Sequence, residues 1–495
     1  MSEAETIDFE PTFNRSVKVR SRDDRITSNA GALLLREADH RLGLTEYLAA
    51  GMSDPRQQNM IRYTLPELLR ERIYSLALHY RVSDDVDLLA HDAILRMAVW
   101  NRPGERVLDE RLASQPTQSR LLDILTYDKG NLERLRSALS VWVERHLRTA
   151  GKDHAVMKGT LDVDGLGIET HGNQPGAAYN GYYQKSMYYP FVAGFTAEGD
   201  YDSRRLGDGF VHAILRKGNA SAAGGALRFI RTAYRKCSRW ARVLDVRMDA
   251  GFTIGEVMDP LADDGIRFIG RLRSNEVVER MAEPHVGRPV GRPPKEGYEF
   301  TVELGEYRAE SWRHSFRLIL VVVDKPDPKT GQLEILPNYF FLITNWTKAE
   351  KSGWDLLEHY RKRGTFEDRF GEFLATTACP LSSPTFAENE ASFLLSLLAF
   401  NLDSMLRGEI EADTGNGWDL GRLQTSVLKA GGRVITAGRR LIVDVARAVV
   451  PLWNMLLGRM QKWNLPSRWE APRGPVKRDW VPPPAHAFLH AVLRT

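Results

Sequence analysis

The stretch TLDVDGLG, residues 160–167, decides how the chain is read. Leu161 and Val163 alternate with Asp162 and Asp164, the period-two pattern of a β-strand. Aspartate is depleted in strands, and an unpaired buried carboxylate is costly. Positions two apart point to the same side of a strand, so the two acids share a face. Gly165 then ends the pattern, which sets Asp164 at the carboxyl end of the strand, the edge where α/β sheets hold ligands. Asp162 is the reserve for the same role.

A second strand, VLDVRMDAGF (243–252), also ends in an acid, Asp249, followed by Ala250-Gly251. If the two strands are neighbours, their carboxylates meet, and such a pair repels unless a divalent cation neutralises it. A third acid comes from YRKRGTFEDRF (360–370). Tyr360, Arg363 and Glu367 are spaced i, i+3, i+7 and line one helix face. Glu367 can then complete the cluster, with Arg363 beside it for bidentate phosphate contact. Gly364 interrupts this helix, and Thr365-x-x-Asp368 is a capping-box pattern that would restart it and bend the face. Oxygen ligands without His or Cys favour Mg²⁺ or Mn²⁺ over zinc. Two such ions, roughly 3.5–4 Å apart, activate a water or a 3′-hydroxyl and stabilise the leaving oxygen in phosphodiester displacement.

The bulk numbers agree with a large protein that has sizeable cores and no membrane-spanning helix. The chain has 495 residues, 43% of them hydrophobic, enough for two to four domains with sizeable cores. No apolar run is long enough for a transmembrane helix. The acidic start, MSEAETIDFEPTF, lacks the apolar stretch of a secretory signal. Cys237 and Cys379 are far apart and form no CxxC, so neither a disulfide framework nor a zinc site is indicated, and a cytoplasmic location is expected. The net charge of +4 hides clustering. Arg231, Arg235, Lys236, Arg239 and Arg242 fall in one stretch with Tyr234 and Trp240, and 286–295 and 430–441 are also basic. Several arginine clusters with interleaved aromatics point to nucleic acid.

Along the chain, residues 1–150 read as a helical DNA-binding domain or, equally, as a plain packed bundle. Its apolar residues recur every three or four positions, and Thr64-x-x-Glu67 with Pro66 marks a helix start. Residues 151–273 read as the first part of a mixed α/β core. Residues 274–347 are a strand-rich insertion, and 348–410 return to helix as the second part of the core, carrying Glu367. The C-terminal region, 411–495, holds a hairpin with its turn at Ala437-Gly438.

Three stretches resemble the DDE transposases of bacterial insertion sequences. LDVDGLGIETHG is similar to the first-Asp block of that family, VRMDAGF to the second, and Tyr360, Arg363 and Glu367 to its Tyr-x-x-Arg-x-x-x-Glu signature. LASQPTQSRL (112–121) resembles a stretch of one subgroup. The resemblance implies an RNase H-like fold with Asp164, Asp249 and Glu367 as catalytic, metal-binding acids for two Mg²⁺ or Mn²⁺ ions. It implies phosphate contacts from Tyr360 and Arg363, and double-stranded DNA as partner, both inverted-repeat ends and target. A homodimer on the DNA and cut-and-paste transposition are expected with it. The sequence departs from the family at Leu374, where a Lys or Arg is usual, and at Gly165, where Ser or Thr is usual. Relatives carry a base-receiving Trp in the insertion, which makes Trp312 and Trp346 candidates. GRPVGRPPK (287–295) resembles a minor-groove hook through Arg288 and Arg292. A transposase descendant kept only for DNA binding is the alternative.

Overall fold

From Lys158 to Gly165 the chain does what its alternation predicts: Leu161 and Val163 bury into one apolar layer, while Asp162 is buried on the other side. The computed structural model describes residues 8–463, apart from 15, 22–23, 103, 151–157, 199–208, 222, 289–295, 327–336, 416 and 439. This strand, β1 (Lys158–Gly165), sits inside an eight-stranded mixed sheet. The others are β2 (Phe191–Glu198), β3 (Gly209–Ile214), β4 (Arg242–Met248), β5 (Phe268–Leu272), β6 (Tyr298–Tyr307), β7 (Phe316–Asp324) and β8 (Asn338–Thr344). Their spatial order is β6-β7-β8-β5-β4-β1-β2-β3. β1, β2 and β3 pair antiparallel, whereas β4 and β5 run parallel to β1. This arrangement is compatible with an RNase H-like fold.

The segment read as an insertion is strand-rich, as its β-branched and aromatic runs imply. Its strands continue the same sheet: β8 pairs with β5, placing Ile269 opposite Thr344, and β7 and β6 follow outward.

Helices cover both faces of the sheet. α1 is Lys129–Leu147, α2 Ala226–Cys237, α3 Gly255–Asp263, α4 Gly353–Arg361, α5 Arg363–Thr376 and α6 Phe386–Thr414. α2 lays Phe229, Ile230 and Ala233 into the layer that holds Leu161, Val163 and Met248. α4 and α5 serve the face that carries the aspartates. α6 is apolar nearly all round and is correspondingly buried along most of its length. It shares one core with Leu68, Leu69 and Ile73 of the helix Leu65–Ala77, with Trp142 of α1 and with Phe210 of β3. The boundary drawn at residue 150 therefore runs through a continuous core. The Thr64/Glu67 capping box forms, and the hairpin Gly432–Ala437 with Arg440–Val445 takes a third strand, Arg25–Thr27, from near the N-terminus.

One buried acid in the helical region makes a prediction. Glu71 is buried, and its carboxylate accepts from the Ala113 N–H at 3.1 Å. Burial pushes its pKa up to about 8 from an ordinary value of 4.5. The folded state thus keeps a proton that the unfolded chain releases, so stability falls as pH rises through that window. Glu71→Gln removes the titration, and the variant is expected to be more stable than the wild type at the upper end of it, on the order of 2 kcal/mol. Thermal melts across the window check this; an unchanged slope of Tm against pH would refute it.

Candidate active site

Register brings the first two acids together. In the parallel pair β1·β4, Val163 stands opposite Met248. One residue further, Asp164 and Asp249 leave adjoining strand ends side by side, since paired strands lie roughly 5 Å apart. The Gly165 N–H donates to Asp164 Oδ1 at 2.7 Å and holds that side chain at the break.

The third acid is positioned by aromatic packing. Phe366, Phe370 and Phe373 form the apolar stripe of α5 and gather around Phe210 of β3. Phe366 also packs against Gly194 of β2, where a Cβ would stand 2.3 Å from the ring. This fit lays α5 across the sheet and leaves Glu367, next to Phe366, exposed at the rim of the acid pocket. Arg363, the buried first residue of α5, forms ion pairs with both Asp164 and Glu367. Burial pushes Asp164 up to about 7; Asp249 and Glu367 add to the shift and Arg363 opposes it. Burial likewise works against the charge of Arg363, but Asp164, Tyr360, Glu367 and Asp249 outweigh it and keep its pKa raised. Burial pushes Tyr360, which lies within reach of the same charges, up to about 12.

Asp162 is occupied elsewhere. Its two oxygens accept from Arg247 Nε at 2.7 Å and Nη2 at 2.6 Å, and both residues are fully buried. Arg247 Nη1 also donates to the His359 carbonyl at 2.8 Å, near the end of α4. One step back along the strands, Asp245 accepts from His359 Nε2 at 2.7 Å, Thr160 Oγ1 at 2.9 Å and Trp346 Nε1 at 3.2 Å. Burial alone would raise the pKa of Asp245; the hydrogen bond and charge of His359 lead the contributions that hold it lowered. A buried polar ladder therefore fastens α4, just ahead of Tyr360 and Arg363, to the strands that end in the aspartates.

The other expected residues fall differently. The chain breaks at Lys362, between α4 and α5, so Gly364 and Thr365 lie inside α5 and the expected capping box at Thr365 does not form. Trp312 is buried against Tyr307 and Phe316, in the apolar core and not on a DNA-facing surface. Trp346 is half-buried with its indole N–H committed to Asp245. Neither ring offers a free face at the acids. Arg288 forks onto Asp324 at the end of β7, at 2.8 and 2.9 Å, and Arg292 lies outside the described residues. Leu374 is 37% exposed, and the cation beside it is Arg81, which donates to its carbonyl at 2.7 Å. In the basic stretch 231–242, Arg231 of α2 pairs with Asp264 and Lys236 turns inward toward His212, whereas Arg235 of α2, Arg239 just beyond it and Arg242 at the start of β4 stay exposed.

Sequence reasoning missed two neighbours of the acids, Tyr183 and Tyr189. Both hydroxyls feel the charges of Asp164 and Asp249. The tyrosine-dense run GYYQKSMYYP (181–190) was the signal, and it reads as a plain strand unless its tyrosines are followed individually.

Asp164 and Asp249 thus stand where the sheet switches from parallel to antiparallel neighbours, the kind of edge at which α/β proteins place their ligands, with Glu367 joined to Asp164 through Arg363. Residues 9–462 match the family described as transposase DDE domain, group 1, and the chain belongs to the DDE transposases. None of the curated proteins compared gives a match. The family acts on DNA through nuclease and strand-transfer chemistry and generally uses divalent metal ions. The donor chemistry here fits such an ion, being three carboxylates without His or Cys. Among the described residues, however, no three His, Cys, Asp or Glu side chains converge closely enough to hold a metal; Arg363 is the cation that stands between Asp164 and Glu367.

Proposed function

We propose that the chain is a cut-and-paste transposase that cleaves the ends of an insertion sequence and joins the freed 3′-ends to target DNA. Asp164, Asp249 and Glu367 would hold two Mg²⁺ or Mn²⁺ ions. When bound, the ions supply an activated water or 3′-hydroxyl and stabilise the leaving oxygen. Arg363 binds the scissile phosphate through its planar fork, exchanging its present carboxylate partners for phosphate oxygens. Tyr360, protonated at neutral pH, donates a hydrogen bond to the same phosphate. The ladder of Asp245, Arg247 and His359 orients α4, which carries Tyr360 and leads directly into Arg363 at the start of α5. The helical residues 1–150 recognise the inverted repeats, two copies of the chain act together on paired ends, and the reaction takes place at the bacterial nucleoid in the cytoplasm.

The observation that carries this reading is the side-by-side exit of Asp164 and Asp249 from paired strands, with Glu367 joined to Asp164 through Arg363. The test is incubation of the full chain with duplex DNA cut from the flanks of its gene, with Mg²⁺ or Mn²⁺. Nicks at a repeat end followed by joined products are expected. Cutting without joined products leaves a nuclease, and no cutting with either ion overturns the proposal.

A further inference from the structure

Between β1 and β2 the chain forms a small sheet of Ile168–Glu169, Lys185–Tyr188 and Ala178–Asn180. Its outer turn exposes aromatic rings where apolar surface would normally be hidden. Tyr182 is 88% exposed, Tyr179 63% and Tyr183 41%. The rings of Tyr182 and Tyr183 meet edge to face at 5.0 Å, and Tyr183 continues to Tyr189 at 6.0 Å. Tyr189 ends this row against Gly165, directly after Asp164: a Cβ at position 165 would stand 2.6 Å from the Tyr189 hydroxyl, so any side chain there would push the ring aside. The row thus runs from open solvent to the acid pocket. Lys217, exposed and paired through its backbone with Tyr188, adds a cation to the same small sheet.

We infer that Tyr182 and Tyr183 form a stacking ledge for an unpaired DNA base on the strand that enters the acid pocket. The inference rests on the reading of that pocket as a DNA-cleaving site. Three features select a base over a protein side chain as occupant. The rings are tyrosines, whose faces stack on any base and whose hydroxyls tolerate water. The row is continuous with the pocket that would take the phosphate. The insertion's own tryptophans are committed to other partners, which leaves this turn as the exposed aromatic surface beside the acids among the described residues.

The test uses the full chain without divalent ions, so that cleavage plays no part. Affinity is measured for a blunt duplex and for the same duplex with a short single-stranded thymine tail carrying a 5-iodouracil for photocross-linking. The wild type is expected to prefer the tailed duplex by about tenfold, the scale of one stacked base, and to cross-link at the turn. The Tyr182→Ala/Tyr183→Ala pair should lose that preference while binding the blunt duplex as before; Tyr182→Phe, which keeps the ring, should retain it. Equal preference in the Ala pair overturns the ledge, as does a wild type with no preference. A change in the oligomeric mass of the DNA-free Ala pair also overturns it, by making the turn a contact between copies of the chain. A chain that prefers the tail but never cuts with Mg²⁺ sinks the transposase reading and leaves the ledge standing. A chain that cuts but keeps its preference in the Ala pair does the reverse.

Discussion

Asp164→Asn is expected to cut DNA cleavage by about a hundred- to a thousandfold, the scale on which removing one preorganised electrostatic group acts in a catalytic site. Asp249→Asn and Glu367→Gln should do the same, each an isosteric loss of one carboxylate. Folding should survive these changes. Asp164 carries a pKa that burial has pushed up to about 7, so its charge opposes folding at neutral pH and its neutral replacement costs little. Arg363 keeps Glu367 as a partner in the Asp164 variant. The matching control is Asp162→Asn, two residues away on the same face. It strips charge from the buried partner of Arg247, so it should lower Tm, with any activity loss following from that. Cleavage and melting measured together on all four variants separate the roles. An Asp164→Asn protein that still cuts would remove Asp164 from the site.

The second large effect is on stability. Arg247→Met leaves the Asp162 carboxylate fully buried without its bidentate partner, a loss of about 3–5 kcal/mol. Pairing it with Asp162→Leu replaces two buried charges by apolar volume and should recover most of that loss. The recovered double variant still lacks the donor to the His359 carbonyl, so α4 loses one of its fastenings to the strands. Its stability should return while cleavage stays reduced. Chemical denaturation reads the first quantity and the cleavage assay the second. A single variant within about 1 kcal/mol of the wild type would show that the pair is not holding this layer together.

Much of the architecture was legible because its signals are local. Alternation marked β1, β-branched and aromatic runs marked the strands of 298–344, and Gly165 and Ala250-Gly251 marked where the acid-bearing strands stop. The spacing of Tyr360, Arg363 and Glu367 survived even though the helix breaks at Lys362. The stripe of Phe366, Phe370 and Phe373 explains why: the second helix is held by its rings against Gly194 and Phe210, whatever the backbone does at the junction.

By itself, then, the sequence determined the strand and helix types and the places of Asp164 and Asp249 where their strands stop, since these follow from side-chain period and chain-breaking residues within a few positions. Only the tertiary structure tells the surroundings of Asp162 and Asp164 apart. They share a strand face, and the difference is an arginine 85 residues away that β-register delivers to one and not the other. The tertiary structure also decided that Trp312 is core, that Trp346 serves Asp245, and that the exposed rings beside the acids are tyrosines from the turn ahead of β2. Pairing across a sheet and burial under a distant helix depend on which segments meet, and no short window of residues encodes that meeting.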